Sequence, residues 1–150
     1  MKKRILFSAL TLLLAFPLLG MQGGTLNIVG KFVTGETELD VATYTQNTEK
    51  VALLGISIPK KGSYAARADE WATLIQLWDK ASQTESQSWQ FIGTLKETQT
   101  SDPTLVIITA GPGVRITLET ADGIFSYVLP KSDYARFGVS LHQVANYVAN

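Results

Sequence analysis

The feature that most narrows what this chain can fold into is that it resembles itself. Leu26-Asn27-Ile28-Val29-Gly30-Lys31-Phe32 matches Trp89-Gln90-Phe91-Ile92-Gly93-Thr94-Leu95 in polarity and in the place of the glycine. Ile58-Pro59-Lys60 aligns with Leu129-Pro130-Lys131. Asp69-Glu70-Trp71-Ala72-Thr73-Leu74 aligns with Ser132-Asp133-Tyr134-Ala135-Arg136-Phe137, with acidic, aromatic, alanine and apolar positions shared. A repeat of about 60 residues means one supersecondary unit used twice, and two units with unfinished apolar faces can complete each other. On this alignment the copies are unequal: the first has an extra stretch, Lys61 to Ala68, and the second a longer sheet with one more hairpin.

Within each copy the apolar period switches from strand to helix. Thr25–Val33, Leu39–Thr45 and Lys50–Ile58 read as three antiparallel strands; then Trp71, Leu74, Trp78 and Ala81 recur every three or four residues. That helix begins either at Ser63, a good N-cap ahead of the alanine-rich Tyr64–Ala68, or at Asp69. After the polar linker Gln83–Ser88, strands are expected at Trp89–Glu97, Thr104–Ala110, Val114–Glu119 and Ile124–Leu129. Ser101-Asp102-Pro103, Gly111-Pro112-Gly113 and Asp122-Gly123 supply the turns. A second amphipathic helix starts near Ser132, with Tyr134, Phe137, Leu141, Val144 and Val148 on one stripe and Gly138 weakening it. The predicted fold is α+β: two tandem repeats, about 25–84 and 88–150, each an antiparallel sheet of three to four strands followed by one α-helix, packed as a single domain over 23–150.

A sheet then a helix, given twice, resembles the Whirly and Pur-repeat families of single-stranded-nucleic-acid binders, whose sheets bend and cross the helices of a neighbouring repeat. The resemblance covers Thr25 to Asn150 at the level of element order, with no residue motif carrying it. It implies a fold; the charge speaks against the function that goes with it.

Lys2, Lys3 and Arg4 precede the apolar run Ile5 to Gly20, the pattern of a bacterial secretory signal over residues 1–22. The run is shorter than the roughly 20 residues a spanning helix needs, so removal between Gly20 and Gly24 is expected, with an uncleaved N-terminal anchor as the alternative. Removal leaves 10 basic against 13 acidic side chains. A net-negative domain repels nucleic acid and anionic lipid, so neither is an expected partner.

Chemistry is sparse. With no cysteine and only His142 as histidine, thiol nucleophiles and paired-ligand zinc sites are excluded. Ser140 and Asp133 accompany His142, but on a helix Ser140 does not face it and Asp133 lies more than two turns away. Glu36, Glu38, Asp40, Glu119 and Asp122 read as solvated acids rather than a glycosidase pair. No cofactor motif is present. Trp71, Leu74 and Trp78 are expected in the core, as are Trp89, Phe91 and Leu95 on one strand face and Phe125, Tyr127 and Leu129 on another. Lys60, Lys61 and Arg67 form a small basic loop before the first helix that could touch a partner. The sequence therefore points to an exported, periplasmic or secreted, non-enzymatic binding or assembly module for a protein or envelope component. A small secreted hydrolase and a single-stranded-nucleic-acid binder are the alternatives.

Overall fold

The computed structural model describes residues 24–58, 60–98 and 102–150, with the side chains of 58, 60 and 61 also outside the description. The expected signal segment, 1–22, thus lies outside the described residues. Two four-stranded antiparallel meanders are each followed by a helix. Sheet 1 comprises β1 (Gly24–Thr34), β2 (Thr37–Gln46), β3 (Glu49–Ile58) and β4 (Lys60–Ala66), and leads into α1 (Ala68–Ser82). Sheet 2 comprises β5 (Gln90–Lys96), β6 (Leu105–Ala110), β7 (Val114–Thr120) and β8 (Gly123–Leu129); a 3-10 turn, Lys131–Asp133, then opens α2 (Tyr134–Ala149). The α+β expectation holds, and among the described residues no helix is long and apolar enough to cross a membrane.

The two halves correspond more closely than the sequence alignment implies. The stretch Lys61–Ala68, expected as an insertion or an early start of the helix, is mostly β4, so each sheet has four strands. Ile58-Pro59-Lys60 is therefore the junction of β3 with β4, and not the partner of Leu129-Pro130-Lys131. The true counterpart of Leu129 is Ala66, the last residue before α1. Helix α1 starts at Ala68, with the Arg67 carbonyl accepting the Trp71 amide at 2.9 Å.

The first strand of each sheet bulges at the same place. In β1 the register jumps between Ile28 and Gly30, and in β5 between Phe91 and Gly93, pairs 63 positions apart. A bulge turns the following residues to the other face, which explains one failed expectation. Phe91 does not share a buried face with Leu95; it points outward, 67% exposed, while Ile92 is buried.

Past each bulge stands the glycine that the sequence flagged. A Cβ on Gly30 would collide with Ser140 of α2, and a Cβ on Gly93 with Leu77 of α1. Leu77 and Ser140 are again 63 positions apart. Each helix therefore beds on the first strand of the other half's sheet: α1 lies mainly on β5 and β6, α2 on β1, β2 and β3. The helices meet between them. Trp78 packs edge-on against Phe137 at 4.7 Å and Tyr134 at 5.2 Å, and the Trp71 indole N–H donates to the Leu141 carbonyl at 2.9 Å. The inner faces of both sheets close one core that holds Leu39, Val41, Leu54, Tyr64, Val106, Ile116, Tyr127 and the helix stripes.

Candidate functional site

Two places depart from what a purely structural repeat would need. The first is a buried carboxyl. Strand β5 ends at Lys96, and the next residue, Glu97, gives its amide to the Thr104 carbonyl at 2.9 Å, closing the connection to β6. Its side chain turns in and is 2% exposed. Oε2 accepts the amide of Ala65 at 3.0 Å, and the Thr104 hydroxyl donates to the Ser63 carbonyl at 2.9 Å. Ser63 and Ala65 belong to β4, an edge strand, so the end of sheet 2 satisfies edge groups of sheet 1 that would otherwise invite another strand.

Burial pushes the Glu97 carboxyl up to about 7; the nearby charge of Glu70 adds to the rise and the Ala65 amide opposes it. Burial likewise raises Tyr64, with Glu70, Glu97 and Asp69 contributing. Neither Glu97 Oε1 nor the Tyr64 hydroxyl has a hydrogen-bond partner among the described residues. The matching place in the first half is neutral and satisfied. Thr34, 63 positions before Glu97, lies 2.9 Å by its hydroxyl from the hydroxyl of Tyr127, itself 63 positions after Tyr64.

The second departure is the outer face of sheet 1. By register, one cross-strand row there is Leu26, Tyr44 and Val51, and the next is Ile28, Ala42, Leu53 and Ala65. Beyond them the face turns polar with Lys31, Asp40 and Ser63, then Val33, Glu38 and Ser57. Lys31 and Glu38 pair at 2.9 Å, which holds the Lys31 ammonium above its ordinary range. The apolar half forms a cluster of its own, separate from the main core: Ala42, Tyr44, Val51, Leu53 and Ala65, with Leu26 at its margin. The helices and sheet 2 belong to the core on the opposite side. The equivalent face of sheet 2 is mixed and open, with rows Phe91, Thr109, Arg115, Val128 and Thr94, Ile107, Thr117, Ser126. There Arg115 stacks over Trp89 at 4.0 Å, and the hydroxyls of Thr117 and Ser126 meet at 2.9 Å.

The residues singled out from sequence are not gathered together. Lys60 and Lys61 begin β4 and Arg67 follows its end, so they sit at opposite ends of a seven-residue strand rather than in one basic loop. At about 3.3 Å per residue that separates them by roughly 20 Å. Arg67 is exposed; the lysine side chains lie outside the described residues. His142 is exposed on α2, while the buried Ser140 hydroxyl is given to the Arg136 carbonyl at 3.0 Å and Asp133 pairs with Arg136 at 3.3 Å. Glu36 and Asp122 are exposed at hairpins; Glu119 shares a shallow surface depression with Asp102. Among the described residues no group of three or more histidine or acidic side chains could hold a metal. Glu97 escaped the sequence reading because an acid after a strand looks solvated; its offset from Thr34 was the available signal. No protein-family model matches the chain, and no curated protein is significantly similar to it.

Proposed function

We propose that the chain is an exported, non-enzymatic binding or assembly module that engages a protein or envelope component through the apolar half of the outer face of sheet 1. The observation that carries this reading is the contrast between the two outer faces. A solvated antiparallel sheet alternates apolar-in and polar-out, as β7 does with Arg115, Thr117 and Glu119 outward. Strands β2 and β3 instead place Ala42, Tyr44, Val51 and Leu53 outward, on a face that the fold of the two repeats does not itself use. These side chains are at most 5% exposed in the full chain, and leaving them in water would forfeit about 1.5–3 kcal/mol for each Val or Leu, so the face is one that has to be kept covered. The leader-like N-terminus supports a location outside the cytoplasm, with residues up to about Gly20–Gly24 removed.

The test is made on the exported protein. Intact mass is expected to show a chain starting between residues 21 and 25, and native mass measurement a complex larger than the monomer. Leu53→Asp, with Val51→Thr as a milder companion, is expected to reduce that complex to monomer while circular dichroism stays unchanged. Retention of Met1 in the membrane fraction would overturn the export reading. A folded Leu53→Asp protein that still assembles and functions would overturn the assignment of the face.

A further inference from the structure

We propose that β8 is an open sheet edge that takes a second copy of the chain, with β8 pairing antiparallel to β8 of that copy about a two-fold axis at Ser126.

The two sheets leave β1, β4, β5 and β8 as edge strands. An edge is a template for another strand unless something blunts it, and three of these edges are blunted. Strands β1 and β5 each carry a bulge. Strand β4 opens with Lys60 and Lys61 and has its edge groups taken by Glu97 and Thr104. Strand β8 has neither device: its register against β7 runs unbroken, and Ile124–Leu129 contains no charge and no proline.

The repeat shows which backbone groups β8 leaves open. In β4 the Ser63 carbonyl and the Ala65 amide point away from β3, toward Thr104 and Glu97. Ser126 and Val128 stand 63 positions later at the matching places in β8, and Ile124 shares their phase along the ladder. Their N–H and C=O groups therefore face away from β7, and no cap meets them among the described residues. Thr34, the counterpart of Glu97, sends its hydroxyl to Tyr127 instead. Exposure agrees. Ser63 and Ala65 are 5% and 6% exposed, whereas Ile124 and Val128 are 69% and 42% exposed, with Ser126 exposed between them.

A second copy fits this edge because the edge complements itself. Rotation about Ser126 sets Ile124 opposite Val128 of the second copy and Val128 opposite its Ile124, so each exposed apolar side chain gains an apolar neighbour. The small Ser126 meets its own image at the axis. Every open N–H and C=O of the three residues then finds a partner, about six hydrogen bonds in all. Charge is complementary too. Arg115 lies beside Val128 and Glu119 beside Ile124, so the row through each apolar pair has Arg115 of one copy at one end and Glu119 of the other at the far end. Three paired residues a side make a contact smaller than the roughly 1,000 Å² of a stable interface, so the pair is weak in dilute solution and forms where copies are concentrated.

Because the chain has no cysteine, single cysteines read the register directly in the exported protein. In Ser126→Cys the two sulfurs meet at the axis, within disulfide reach. In Ile124→Cys or Val128→Cys alone the two cysteines stand four residues apart along the strands, roughly 13 Å, out of reach. At about 1 mM chain, where weak contacts fill, Ser126→Cys is expected to form a disulfide between chains at least about tenfold faster than either of the others. Mixing Ile124→Cys with Val128→Cys should restore the fast reaction. In the cysteine-free protein, Val128→Lys should weaken association at least about tenfold by sedimentation equilibrium, with circular dichroism unchanged. Absence of the Ser126→Cys disulfide, equal rates for all three variants, or association untouched by Val128→Lys would overturn the proposal. So would a Ser126→Cys disulfide to a different protein, which would assign the edge to a foreign strand. Leu53→Asp acts on the outer face of sheet 1 and should leave the Ser126→Cys disulfide in place, so failure here is told apart from failure of the reading above.

Discussion

At the scale of single residues, Glu97 is the side chain with the clearest physical consequence. Its folded pKa is raised above the ordinary 4.5, so the folded protein holds a proton that the unfolded chain releases at lower pH. The associated stability is fully present below about pH 4.5 and is lost as pH rises toward 7. A shift of this size amounts to about 3 kcal/mol. Denaturant titrations across that window should show stability falling with pH, and Glu97→Gln should flatten the curve and stabilise the protein at pH 8. Trp71 is the opposite kind of residue, fully buried, with its indole N–H donated to the Leu141 carbonyl. Trp71→Ala is expected to lose about 3–5 kcal/mol in the same titration. His142→Ala, a change on an exposed flank, should stay within about 0.5 kcal/mol and leave biological activity intact. The core aromatics were legible because a stripe at helical spacing has few uses besides burial. Glu97 was not, because nothing in the residues around the end of β5 distinguishes a carboxyl that turns in from one that turns out.

At the scale of elements, most strands and both helices follow from period and turn residues, and the miss at β4 has a definite cause. Ser63, Tyr64, Ala65 and Ala66 offer a serine cap and alanines, a local preference for helix. Tertiary pairing overrides it: Tyr64 lies opposite Leu54 on the inner face and Ala65 opposite Leu53 on the outer, where small residues pack well against a neighbouring strand. The shared proline then drew Pro59 and Pro130 into a false alignment that hid the missing strand. The glycines past the bulges make a sharper claim. Gly30→Ala pushes a methyl onto the Cβ and hydroxyl of Ser140 and should cost about 1–3 kcal/mol in thermal or denaturant unfolding, whereas Gly93→Ala meets only the terminal methyl of Leu77, which can swing aside, and should cost less. Ser140→Gly should recover most of the loss from Gly30→Ala and none of that from Gly93→Ala, because only the first pair touches.

At the scale of the whole molecule, the crossed helices make the two repeats one cooperative body. Each sheet's inner face is finished by a helix from the other half, and the indoles of α1 are finished by α2. Fragments cut within the linker 83–88 should each be largely unfolded alone by circular dichroism, and should regain ordered spectra when mixed. Independent folding of residues 24–84 would contradict the crossing. The duplication itself was readable from sequence, but the crossing was reached there only through a likeness in element order. Polarity and spacing identify which face of a helix is apolar without saying whose sheet receives it. The crossing also sets an order in time. A chain emerging residue by residue completes β1 to β4 and α1 with nothing yet made for α1 to rest on, and the core cannot close until the segment near Tyr134 has arrived. Such a chain stays slack for most of its own synthesis and snaps shut late, the order of events that the proposed export through a narrow channel would call for.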